Sequence, residues 1–459
     1  YSYENIGFGV DWDYFIDENS FISTSISYSG LRYSISNDNS PLSAFDLRHL
    51  LNHYEISISL TKNILEKHTF NIGLEAIWYN IMPGNIRPFN ESSLVETSDF
   101  QMENGIETSF FFEDEINFSN KLGVYAGIRL STFATLGPSE IYGYSNENPL
   151  GEFNINDTTN YPPGSITNFY IGPEFRLGVR YKLNSMNALK LSFDNTRQYI
   201  HLLSNTIAVA PTDTWKISDR FFKPQIGYQG TIGYYFNNTM RGYEFTIETY
   251  YKIIENSPLY KDFANVVFNP LIETTRVNGQ LEAYGIEFLF KKNIGKFTGW
   301  IGYTYSRTFS LDISDNNRKI NLGDRFPNNF DKPHSLNVIS TYKFTRRYSI
   351  SSALTYSTGR PVTYPDAQFT LNGATYTNYS KRNTGRIPDY FRIDLTFHLE
   401  GNHKRNKLAH SSWDFSVYNL SGRNNPYSVY FRTEQGEING YLLSVFAQPI
   451  PTITYNFKF

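Results

Sequence analysis

Apolar residues in this chain recur at every second position and never run together, and that pattern restricts the fold more than any motif does. The last ten residues, IPTITYNFKF, show it plainly: Ile453, Tyr455, Phe457 and Phe459 alternate with Thr452, Thr454, Asn456 and Lys458. A period of two puts each set on its own face of a strand, one greasy and one wet. Within 225–236, Ile226, Tyr228, Ile232, Tyr234 and Phe236 share one face, while Gln225, Gly227, Gln229, Thr231 and Gly233 share the other. Within 122–132, Val124, Ala126, Ile128 and Leu130 oppose Gly123, Tyr125, Gly127 and Arg129.

Composition says what such strands are for. Phe 37, Tyr 36 and Trp 5 bring the aromatic share to 17%, yet mean hydropathy is −0.43. No stretch approaches the roughly 18 apolar residues of a membrane-spanning helix. A chain with this much apolar surface and no such helix can enter lipid only as a closed β-barrel, because backbone groups have no water partners in hydrocarbon. A net charge of −3 gives no reason to expect a nucleic-acid partner. The absence of cysteine excludes disulfides and thiolate metal sites. The chain opens on Tyr1 with no Met, basic segment or apolar leader, which marks a mature protein or a fragment.

The alternation predicts about 17 strands, from 5–14 through to 450–459, in an all-β, antiparallel up-and-down barrel spanning 1–459. Connections alternate strictly. Short ones rich in Asn, Gly and Lys, such as 63–66, 184–187, 238–241 and 293–296, suit tight hairpins. Long ones cover 37–49, 81–100, 135–166, 200–223, 254–278, 309–332, 359–386 and 420–449. Segments 427–431 and 441–446 read as a hairpin within the last long loop, and the basic stretch 401–409 falls on the short side. Short turns on one side and long loops on the other is the pattern of outer-membrane barrels, with the long side extracellular. If the last strand runs inward and ends in the periplasm, 17 strands start the chain outside. Bacterial single-chain barrels have even strand numbers, so at least one further strand is expected upstream.

Charges on the wet face fix its direction, since a charge facing lipid at mid-depth costs about 2–4 kcal/mol. Glu103, Glu107, Glu113, Arg129, Glu174, Arg176, Arg180, Glu244, Glu248, Glu287, Arg392 and Asp394 are therefore expected to face the lumen, where they pair across strands or grip a polar plug. In the long loops, Trp215, Arg220, Phe221 and Phe222, then Tyr161, then Arg325 with Phe326, offer aromatic planes and guanidinium donors for a ligand. Interfacial belts and loop packing use the same residue types. Asp312, Asp315, Asp324 and Asp331 share one loop but lack the spacing of a dedicated Ca²⁺ site and read as solvated carboxylates, so no metal is expected. His403 and His410 flank a basic turn and read as exposed. Nothing marks a nucleophile elbow, so no enzyme and no cofactor are expected.

A series of segments carries a closer resemblance. Asp331-Lys332-Pro333-His334-Ser335-Leu336-Asn337, then Tyr356-Ser357-Thr358-Gly359-Arg360-Pro361, then Phe391-Arg392-Ile393-Asp394-Leu395 follow one another in order. Asp414 to Leu420, Asn425-Pro426-Tyr427 and the Phe-terminated strand follow. Together they resemble the late barrel of TonB-dependent receptors of the Bacteroidetes type, and Ala283-Tyr284-Gly285-Ile286-Glu287 resembles one of its mid-barrel strands. The resemblance implies a 22-stranded barrel of which this chain holds strands 6 to 22. The plug, the TonB-contacting segment and the first five strands would then lie upstream. It also implies Phe459 as the barrel-assembly signal, a Gram-negative outer-membrane location, and import of a bulky nutrient (iron chelate, cobalamin, glycan or peptide) by TonB-driven plug movement. The implied partners are outer-membrane lipid, the plug, the TonB complex and, in some members, a surface lipoprotein. An 18-stranded diffusion porin and a surface-binding barrel are the alternatives.

Overall fold

The computed structural model describes residues 2–145, 150–203, 214–262, 264, 269–314, 319–371, 374–379, 381–401, 410–434, 437–444 and 446–458. Tyr1, Asp315, His403 and Phe459 lie outside them. Seventeen long strands form one antiparallel sheet: β1 Ser2–Asp17, β2 Ser20–Asn37, β3 Phe45–Ile64, β4 His68–Pro88, β5 Glu103–Asn117, β6 Leu122–Leu136, β7 Ile166–Lys182, β8 Asn187–Gln198 and β9 Gln225–Asn238. They continue as β10 Tyr243–Tyr260, β11 Arg276–Lys292, β12 Phe297–Asp312, β13 His334–Lys343, β14 Tyr348–Ser357, β15 Tyr390–Glu400, β16 His410–Tyr418 and β17 Ile450–Lys458. Each strand pairs with the next in sequence, the up-and-down order that the alternating turns imply. Among the described residues β1 pairs only with β2, and β17 only with β16. Among the described residues, the only helical turns are short 3₁₀ pieces such as Ile272–Thr274.

The tight turns follow from local chemistry. Leu65 and Glu66 both take positive φ (52° and 55°) between β3 and β4, the backbone twist that matches paired strands. Gly242 (φ 67°) and Gly295 (φ 109°) supply the same freedom at two other short turns. At the long-loop end several strands run further than alternation predicts. β4 was expected to stop near 80 and continues to Pro88, and β10 continues to Tyr260. Pro83, Gly84 and Pro258 break the apolar rhythm there, but β3 and β4 stay paired across a register shift between Arg48 and Leu50.

Register fixes two unlike faces. Phe8, Val10, Trp12 and Tyr14 on β1, Leu177 and Val179 on β7, Leu189, Leu191 and Phe193 on β8, and Ile453, Tyr455 and Phe457 on β17 all stand exposed. The molecule exposes 27291 Å², against roughly 18,000 Å² for a compact soluble monomer of its 53.1 kDa. A wall one sheet thick exposes both of its faces, and the outward one is apolar, the arrangement a lipid solvent favours. Buried apolar groups gather instead near the long-loop end. The largest cluster joins Ile77, Tyr79 and Ile81 of β4, Phe133 of β6, and Tyr199 and Ile217 from the loop after β8.

Candidate binding site among the long loops

The face opposite the apolar one carries the charges. Arg129 on β6 reaches back to Glu75 on β4, its two terminal nitrogens lying 3.2 and 2.9 Å from the two carboxylate oxygens. Glu107 on β5 lies 3.4 Å away, and Glu174, directly opposite on β7, 4.0 Å away. Tyr79 donates to Glu107 at 3.1 Å. One guanidinium thus serves three carboxylates. Arg176 pairs with Glu113 at 3.4 Å, while Arg180 lies over Gly123 without an ion pair to any described residue. Glu244 faces Lys291 at 3.8 Å. Glu248 accepts from the Tyr235 hydroxyl and sits directly opposite Glu287, a like-charge pair that costs stability unless something else meets it. Arg392 pairs with Asp394 at 3.0 Å and donates to Tyr418 at 2.8 Å.

A hairpin from the loop between β8 and β9, Ile200–Leu203 paired with Thr214–Ile217, folds back onto this face. Tyr199 stacks on Phe133 with 4.9 Å between centroids, and Thr135 donates to the Ser218 carbonyl at 2.7 Å. Lys216 is its ionic anchor, with Nζ 2.6 Å from Glu103 and 2.7 Å from Asp219. Burial alone would lower the Lys216 ammonium, but those two carboxylates more than offset it and hold it above the ordinary lysine value. Glu103 also accepts the Ile217 N–H at 2.8 Å, and Asp219 accepts those of Phe221 and Phe222 at 2.7 Å. His201 is 1% exposed, and burial pushes its imidazole down to about 4. Gln225 Nε2 lies 3.0 Å from its Nδ1 and Ser218 Oγ 2.9 Å from its Nε2. An amide N–H donating to Nδ1 leaves that nitrogen as acceptor, so the ring is held neutral.

Beside the hairpin, loops following β4, β6, β8 and β10 enclose a cavity of about 340 Å³. That is within the range of small-molecule sites, about 300–1,000 Å³. Its walls include Phe100, Glu103, Glu140, Tyr142, Lys216, Asp219, Arg220, Phe221 and Glu273. Tyr144 links two of these loops, donating to Glu273 at 2.7 Å and meeting Phe221 edge-on at 5.7 Å. Burial raises the Glu273 carboxyl, and the Tyr144 hydrogen bond lowers it in part.

Of the aromatic and arginine residues picked out in the loops, Arg220 and Phe221 line this cavity, with the guanidinium 5.9 Å from the ring centre. Trp215 packs on the apolar cluster under the hairpin, and Phe222 is 1% exposed beneath Lys216 and Arg276. Tyr161 ends a separate hairpin, opposite Ser139. Arg325 stands elsewhere, over Phe309 and 3.4 Å from Glu282, and Phe326 is buried with Val277 and Ile320. The acidic loop needs a correction: Asp312 and Asp331 are not solvated. Asp331 is 0% exposed and paired with Arg307 and Arg386. Asp312 is 2% exposed and accepts from Ser314 and Ile320. Asp324 faces Lys381 at 4.0 Å, and His410 is exposed at the start of β16. Among the described residues no group of three or more His, Asp or Glu could hold a metal. Glu75, Tyr144, Lys216, Asp219 and Glu273 belong to these clusters without having stood out in the sequence. Glu75 alone carried a signal, being in phase with the wet face of its strand.

The family model for the TonB dependent receptor-like β-barrel matches residues 1–420. The chain belongs to the TonB-dependent receptor β-barrel family, whose members are outer-membrane transport receptors of Gram-negative bacteria and not enzymes. Among solved structures, the siderophore receptor PiuA from Acinetobacter baumannii superposes with a TM-score of 0.64 at 14% identity, over 99% of this chain and 64% of that one. The ferric-catecholate import receptor Fiu from K12 E. coli gives 0.60 at 14% identity, over 99% and 64%. The copper transporter OprC gives 0.62 at 10%, over 99% and 65%. At these identities the likeness is one of fold. The chain spans less than two thirds of the length of each. No curated protein matches.

Proposed function

We propose that this chain is the membrane wall of an active importer of the Bacteroidetes type. A bulky nutrient would be captured between the long, extracellular loops and carried past a plug moved by TonB. The supporting observation is the wall around Arg129, with Glu75, Glu107 and Glu174 gathered on the lumen face beneath the loop cavity. A two-charge acidic excess there suits a polar, separable plug better than a permanently sealed core. The wall does no chemistry on cargo; it binds, orients and lets pass. PiuA is named as a siderophore receptor, Fiu as a ferric-catecholate import receptor and OprC as a copper transporter, and a chelated metal is one cargo class this barrel would suit.

The hairpin folded onto the lumen face favours a second reading, a passive porin whose constriction is that loop. Planar-bilayer recordings of the intact protein separate the two. A plugged importer shows no steady open conductance, whereas a porin shows stable open channels.

A further inference from the structure

The cavity among the long loops has a charge balance that selects its ligand. Lys216 is already consumed by Glu103 and Asp219, and Asp99 by Arg87 at 2.9 Å. Among the described residues, the remaining charged groups on the wall are Arg220, Glu140 and Glu273. Lys216 with its two carboxylates carries one net negative charge, so the wall as a whole is left with an excess of two. Glu273 is 9% exposed, lines the cavity, and forms no ion pair with any described residue. Among the described residues, its side chain is met by neutral donors only, the Tyr144 hydroxyl and its own backbone N–H. A carboxylate so buried is costly unless a cation meets it. Phe100, Tyr142 and Phe221 line the same cavity, and aromatic faces attract organic cations. The carboxylates do not converge as a metal site would.

We infer that this cavity binds an organic cation, a ligand that presents a protonated amine or guanidinium to Glu273 with its apolar stem against Phe221 and Tyr142. The inference rests on the transport reading only in taking that ligand to be the cargo.

The test uses the intact receptor in detergent and calorimetry with two probes, tri-lysine and tri-glutamate. Tri-lysine binds and tri-glutamate does not. Glu273→Gln weakens tri-lysine by about tenfold, the scale of a lost hydrogen bond to a charged group. Glu140→Gln, at an exposed rim position that folding tolerates, weakens it by about threefold. Absence of tri-lysine binding at millimolar concentration, equal binding of tri-glutamate, or unchanged affinity in both variants overturns the inference. Binding to the cavity without energised uptake would refute the transport reading and leave the site standing. Energised uptake of another ligand, with no tri-lysine binding, would do the reverse.

Discussion

Acidification should release the hairpin Ile200–Leu203/Thr214–Ile217 from the barrel wall. His201 is packed against Ser218 and Gln225, with Asp219, Lys216 and Arg276 the charged groups facing it. Its folded value is about 4, against about 6.5 for an unfolded histidine. A depressed histidine value makes the docked state fully stable above pH 6.5, and that stability is lost as pH falls toward 4. Between pH 7.5 and 4.5 the loss is roughly 2–3 kcal/mol, or about two powers of ten in the opening equilibrium. Glu273, whose value burial raises, pulls the other way, so the comparison that counts is between wild type and a variant that keeps Glu273. Hydrogen exchange by mass spectrometry on the intact receptor reads the opening at the amides of the two hairpin strands. Wild-type exchange should accelerate on acidification by about that factor relative to His201→Gln, which keeps Glu273 and has nothing to titrate at position 201. Equal acid sensitivity in both proteins would refute the role given to His201.

Three further outcomes follow from the same geometry. Lys216→Met leaves Glu103 and Asp219 buried without their cation and should destabilise the hairpin by about 3 kcal/mol, read as faster exchange at neutral pH. Arg129→Met should lower the urea midpoint through three unpaired carboxylates, and adding Glu107→Gln should recover part of the loss in a double-mutant cycle. Leu191→Arg, on the exposed apolar face of β8, should cost about 2–4 kcal/mol when the protein folds into lipid vesicles, and Ser192→Arg on the opposite face about 1 or less; equal costs would reverse the assignment of faces.

The wall was legible in the sequence because each strand states its own periodicity. Tyr228 and Ile232 against Gln229 and Thr231 is a local fact, and turn chemistry at Gly242 or Gly295 is local too. Strand ends were less so, since Pro83 and Pro258 interrupt the rhythm while pairing continues. The site was hardly legible at all. Lys216 meets Glu103 across 113 positions, and Tyr144 meets Glu273 across 129. Such contacts are set by which loops the curved wall brings together, and no spacing within one loop encodes them. Arg220 and Phe221 were readable as an adjacent cation and ring, but Arg325 and Phe326 look the same in sequence and fold into packing instead.

Transport itself is tested most directly by uptake of a radiolabelled ligand found to bind the intact receptor, in cells with and without a functional TonB complex. The importer reading predicts saturable accumulation that disappears when TonB is deleted or a protonophore collapses the proton gradient. Accumulation that continues unchanged under either treatment would contradict it and leave a diffusion channel in its place.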